Sequence, residues 1–143
     1  MKFRFFIDKS REEEVIVYAH EKTKLVEGIE KLVTENNFEL IGYADREAVK
    51  LDLADVYCFT VENNKIYAVC ENEKYLLKLR LYQIEEKLSE NFIKINQSCI
   101  ANIRKIRKFD ASFSGTLTVI FKNGYKDFVS RRNVKNVKER LGL

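Results

Sequence analysis

The chain has 143 residues, 45% hydrophobic and 34% charged, with 26 Lys and Arg against 22 Asp and Glu and a formal net charge of +4. That is enough apolar material for one domain with its own core and too much for a disordered chain. No apolar run reaches the roughly 18 residues of a membrane span. The opening Met1–Ile7 is too short and too charged for a signal peptide, so a cytoplasmic location is expected.

Phe3–Ile7 and the β-branched run Val15–Ala19 predict two strands around a charged turn. The period then changes. Leu25, Ile29 and Leu32 are spaced 4 and 3 apart with Val26 and Val33 beside them, which predicts an amphipathic helix over 22–36. Thr23 can cap its start, and Asn36-Asn37 ends it. Short strands are expected at Phe38–Tyr43 and Ala48–Leu51. Tyr57–Glu62 and Lys65–Glu71 flank Asn63-Asn64, a hairpin signal because Asn tolerates the left-handed backbone. A strand at Lys74–Leu79 precedes a short helix marked by Leu81, Ile84 and Leu88.

Phe92–Ile95 predicts a strand, Ser98–Ile103 is an ambiguous apolar segment, and Lys105–Phe109 is extended. Leu117–Phe121 and Lys126–Val129 flank Asn123-Gly124, which favours a type I′ turn. The last element, Arg132–Leu141, is helical, with Ser130 as a cap and Gly142 as a stop. The fold class is mostly β with short helices, an α+β domain without βαβ rhythm. Its expected division is 1–50, a β-β-α extension that packs or dimerises, and 51–143, the main domain.

Charge is uneven along this order. Residues 1–60 hold 9 basic and 13 acidic side chains, 61–93 hold 5 and 6, and 94–143 hold 12 and 3. The basic final third points to a polyanion partner on one face. Catalytic chemistry is thinly supplied. His20 is the lone histidine, the five glycines are scattered, and Cys58, Cys70 and Cys99 show no CxxC spacing. These features support neither a metal cluster nor a phosphate-cradling loop nor a disulfide framework, and they predict no cofactor and no enzyme. The cysteines are expected to pack as small hydrophobes.

Asn91-Phe92-Ile93-Lys94-Ile95-Asn96-Gln97-Ser98-Cys99-Ile100-Ala101-Asn102 resembles the "FxRxHRSyivN" segment of LytTR-type DNA-binding domains. Ile103-Arg104-Lys105-Ile106 resembles the "ldkI" that follows. Phe121-Lys122-Asn123-Gly124 and Val129-Ser130-Arg131-Arg132 are similar to the closing "l.nG....VSRRy". Asp55–Lys78 looks like the family's opening strands and Leu81–Leu88 like its "L.elee.L" helix, a likeness covering about residues 50–143.

The resemblance implies a fold of about ten short strands that meets duplex DNA through inter-strand loops and the start of the final helix, usually as pairs on repeated sites. Carried onto this chain, the contacts are Asn63, Asn64 and Lys65; Asn96, Gln97 and Ser98; and Arg131, Arg132 and Asn133, with Lys135 and Lys138. Gln97 and Arg132 are assigned to base edges. Asn64 and Lys65 are assigned to a base or a phosphate, and Ser98, Arg131, Lys135 and Lys138 mainly to the backbone. The chain departs from the family where Asn96-Gln97-Ser98 replaces "HRS". Gln97 lacks the charge and five fixed donors of Arg, so this contact either favours adenine over guanine or reads no base.

Residues 1–50 are too few for a receiver domain and lack its acidic pair and lysine. The chain instead resembles LytTR regulators with a short N-terminal extension, often partnered by a small membrane protein that restrains them. The expected function is a sequence-specific double-stranded DNA-binding transcription regulator, acting as a homodimer at least on DNA. The altered loop and acidic extension motivate one alternative, a protein-interaction module of the same fold that binds a membrane or regulatory protein and DNA only weakly.

Overall fold

The computed structural model describes residues 1–36, 38–113 and 116–143. Its order is α1 (Lys24–Asn36), β1 (Leu40–Ala44), β2 (Glu47–Leu51), β3 (Cys58–Glu62), β4 (Lys65–Val69), β5 (Lys74–Leu77), α2 (Leu81–Lys87), β6 (Phe92–Asn96), β7 (Cys99–Asn102), β8 (Ile106–Phe113), β9 (Thr116–Phe121), β10 (Lys126–Val129) and α3 (Arg131–Leu141). Short 3₁₀ turns at Leu53–Asp55 and Ile103–Lys105 enter β3 and β8. The ambiguous segment after Ser98 is thus mainly a strand.

Seven strands form one antiparallel sheet in the order β2-β1-β5-β4-β3-β7-β6, and β10-β9-β8 form a second. Period-two alternation divides the core between the two faces of the larger sheet. Cys58, Ile93, Ile95, Cys99 and Ala101 pack with Val119, Phe121, Val129 and Val137, under the small sheet and α3. Their sequence neighbours Phe59, Phe92 and Ile100 turn the other way, onto Ile84 and Leu88 around α2. The pair Tyr43↔Leu76 joins the β1–β2 hairpin to the larger sheet, which therefore runs through residue 50.

Several local expectations are met by mechanism. Asn63 and Asn64 have φ of 50° and 60°, the backbone that a type I′ hairpin demands. Gly142 ends α3 at φ 69°, in the left-handed region. Thr23 Oγ1 accepts from Val26 N–H at 3.4 Å at the start of α1. The predicted end of α1 at Asn37 lies outside the described residues.

Other expectations are corrected. Asn123-Gly124 is not a type I′ turn, because only Gly124 has positive φ, at 87°. Gly124 N–H donates to Phe121 O, and Phe121 N–H donates to Tyr125 O, each at 2.9 Å. The extra residue makes a three-residue loop with a glycine bulge. Asn123 is held in a negative-φ state by its side chain, which donates to Cys70 O at 3.0 Å and accepts from Tyr125 N–H at 3.0 Å.

The strand pair expected at 3–7 and 15–19 does not form. These residues belong to no strand, and Phe3, Phe5, Phe6 and Tyr18 are exposed. Alternating apolar residues give a capacity for pairing, but two strands without a third or a covering layer are marginal in water.

Candidate nucleic-acid interface

The three predicted contact segments converge at one end of the larger sheet. β3 and β7 are antiparallel, with Thr60 opposite Cys99, so the turn after β3 and the turn before β7 share an edge. Val61 N–H donates to Ser98 O at 2.9 Å and ties the Asn63-Asn64 turn to the Gln97-Ser98 turn. Ser130 N–H donates to Ile95 O at 2.8 Å, which fixes the start of α3 beside the end of β6.

Asn96 locks this junction. It is 4% exposed, and its amide donates to Asp127 Oδ1 at 3.0 Å and Phe128 O at 2.8 Å. Its Oδ1 accepts from Ser98 N–H at 2.8 Å. A register shift between Lys94 and Asn96 aims the side chain inward, where it bridges the two sheets. Of the nominated residues, Asn96 is therefore engaged inside the protein.

The neighbouring side chains face solvent, and Lys135 Nζ lies 4.0 Å from Glu139 Oε1. Asn63, Asn64, Lys65, Gln97, Ser98, Arg131, Arg132, Lys135 and Lys138 are exposed. Among the described residues, Gln97, Arg131 and Arg132 make no side-chain hydrogen bond or ion pair. Asn133 is half-buried and donates to Ser130 Oγ at 2.8 Å. Ser130 sits at the cap position, but its hydroxyl does not bond the first-turn amides. Asn133 N–H donates to Ser130 O at 2.9 Å, and the positive end of the helix dipole lies beside Arg131 and Arg132. Arg140 serves the fold instead. Its guanidinium donates to Phe92 O and Glu90 O, pinning the far end of α3 to the start of β6.

Lys78 and Arg80 join this edge although no motif points to them. The pair Ile66↔Leu77 carries Lys78 to the level of Lys65, and Arg80 follows it. With Asn64, Lys65 and Tyr82 they border an open groove of about 730 Å³. Strand pairing was the missing signal, since Lys65 and Lys78 are distant in sequence. The acid nearest in register, Glu62, is neutralised by Lys74 at 2.7 Å.

The basic final third does not all share this edge. Arg104 and Lys105 follow β7 at the opposite end, where they line a second groove of about 700 Å³ with Asp52 and Phe38. Lys105 Nζ lies 5.1 Å over the Tyr57 ring. Asn102 is 3% exposed and donates to Val56 O at 2.8 Å. The expectation of one basic face thus narrows to the edge defined by the turns and α3.

His20 is exposed, while Cys58 and Cys99 are buried and Cys70 is half-buried. Hydrogen bonding to Cys58, followed by burial, pushes the Cys99 thiol up. Burial pushes Cys70 up to about 11. Among the described residues no cluster of three or more His, Cys, Asp or Glu can hold a metal, and no helix is long and apolar enough to cross a membrane.

Two antiparallel sheets that bring two amide-bearing turns, Lys65 and a basic helix start to one edge place the chain among β-rich domains with a polar, basic end. The profile of the LytTr DNA-binding domain matches residues 46–142, and the chain belongs to that family of DNA-binding transcription regulators. A Staphylococcus aureus protein (strain NCTC 8325 / PS 47) described as an uncharacterized HTH-type transcriptional regulator is 34% identical over 146 residues. That alignment covers 100% of this chain and 99% of the relative. Its counterpart in strain COL has the same identity and coverage.

A solved LytTr DNA-binding domain from Bacillus cereus superposes with a TM-score of 0.68 at 20% identity, covering 73% of this chain and 97% of that one. The likeness to that domain is one of fold. Among the described residues, strands separate all three helices, so no two of them form a helix-turn-helix.

Proposed function

We propose that this chain regulates transcription in the cytoplasm by binding repeated duplex DNA sites in pairs through the edge formed by the Asn63-Asn64 turn, the Gln97-Ser98 turn and the start of α3. The observation that carries this reading is the direct hydrogen bonding between these segments, which leaves exposed amide and cationic side chains on one rigid edge. Gln97 and Arg132 reach base edges. An amide in this position suits adenine and a guanidinium suits guanine. Asn63, Asn64 and Lys65 meet the duplex at the first turn.

Ser98, Arg131, Lys135 and Lys138 grip phosphates, and Lys78 and Arg80 extend that grip along the sheet edge. Asn96 sets the second turn from within, and Asn133 braces the start of α3. A small membrane-protein regulator belongs to the same reading as a partner of the intact chain.

Selection of bound duplexes from a random pool tests this assignment. Enrichment of a repeated motif, and loss of that preference in Arg132→Ala, is expected. A pool that stays random after selection contradicts it.

A further inference from the structure

Of the 13 large apolar side chains exposed among the described residues, ten lie within residues 1–32, from Met1 through Phe3, Phe5, Phe6 and Tyr18 to Leu32. Neither core cluster includes a residue before Phe38. The domain closes its core without this segment. α1 touches α2 and half-buries Val26, Ile29 and Val33, while Phe3, Phe5, Phe6, Tyr18, Leu25 and Leu32 stay exposed. Leu25 and Leu32, seven residues apart on one face of α1, are 55% and 51% exposed. Such a concentration marks an interface.

The charges identify what covers it. Residues 2–11 carry Lys2, Arg4, Lys9 and Arg11 against the single Asp8, whereas residues 12–21 carry Glu12, Glu13, Glu14 and Glu21 with no Lys or Arg. The segment is therefore complementary to itself. A two-fold axis sets the basic half of one copy against the acidic half of the other, and then repeats that contact. Two copies also supply four strands, where one copy supplies an unsupported pair. The three phenylalanines and Tyr18 alone offer on the order of 150–250 Å² each, which approaches the roughly 800 Å² per partner of a standard interface.

We infer that residues 1–36 bind a second copy of this chain. Segments 3–7 and 15–19 pair as strands across a two-fold axis, and the Leu25–Leu32 stripe of α1 closes over them. This rests on the proposed pairing of copies and assigns the surface that performs it.

The test uses two full-length variants: Lys2→Glu/Arg4→Glu, which makes both halves acidic, and Glu12→Lys/Glu13→Lys/Glu14→Lys, which makes both basic. Light scattering without DNA reads the mass. Wild type is expected at twice 16.9 kDa and each variant alone at 16.9 kDa. An equimolar mixture of the two is expected to return to the doubled mass, which pairing within one chain does not produce. A single-mass wild type, variants that stay dimeric alone, or a mixture that stays monomeric overturns the inference. Binding of each variant to a single half-site duplex reads the DNA edge separately, so failure of that reading leaves the mass result intact.

Discussion

At the scale of single residues, asparagine does three kinds of work. Asn63 and Asn64 supply positive φ, Asn123 ties a hairpin loop to Cys70, and Asn96 holds a sheet-to-sheet junction from a buried position. Asn96→Ala would leave Phe128 O, Asp127 and Ser98 N–H short of a partner, a loss of about 1–3 kcal/mol. Chemical denaturation of the variant should show that loss, and specific DNA binding should weaken with it. Gln97→Arg should raise affinity and steepen its salt dependence, because a cation is added at an exposed turn. Competition binding against wild type reads both changes.

Two half-buried acids set an alkaline limit. Burial raises Tyr125 to about 12 and Cys70 to about 11, from ordinary values of 10.0 and 9.0. The folded state keeps these protons longer than the unfolded state, so unfolding releases protons at high pH. Their stabilising contribution is full below pH 9 and declines as pH rises toward 12. Denaturant midpoints measured from neutral pH into that range should fall. Labelling at pH 8 should be slow at Cys70 and slower still at fully buried Cys58 and Cys99.

At the scale of elements, hairpins and helices were readable where local chemistry suffices. Asn63-Asn64, Gly142 and the apolar stripe of α1 depend on nearby residues alone. Gln97, Arg132 and the Asn63-Asn64 turn were readable as candidate contacts through motif resemblance, but their convergence needed the β3–β7 and β4–β5 pairings. Lys78 was invisible for the same reason. The dipeptide Asn123-Gly124 does not specify its turn alone, since Asn123 also bonds Cys70 O, far away in sequence.

Segments 3–7 and 15–19 show the limit of periodicity, since alternation marks a face and a strand also needs a neighbour. Packing against the β1–β5 joint makes a further prediction. A Cβ on Gly42 would lie 2.5 Å from Tyr75 Cβ and 2.7 Å from Leu51 Cδ1. Gly42→Ala should therefore cost about 1–3 kcal/mol through forced repacking, measurable as a shifted denaturation midpoint.

At the scale of the whole molecule, the net charge of +4 conceals a division of labour. An N-terminal segment carries both signs and is the surface inferred to pair two copies, while the edge built from two turns and the start of α3 is the surface proposed for the duplex. The clusters on the two sides of the larger sheet make that edge rigid, so binding energy is not spent on ordering loops. The central claim is that the edge reads DNA through Arg132 while its lysines hold the backbone.

The most direct measurement is the affinity of wild type, Arg132→Ala and Lys135→Gln for a selected duplex and a scrambled one across a salt series. Arg132→Ala should lose about 1–3 kcal/mol on the selected duplex and little of its base-independent binding. Lys135→Gln should weaken both duplexes alike and flatten the log–log salt slope by about 0.9. Equal discrimination between the two duplexes by wild type and Arg132→Ala would contradict the account.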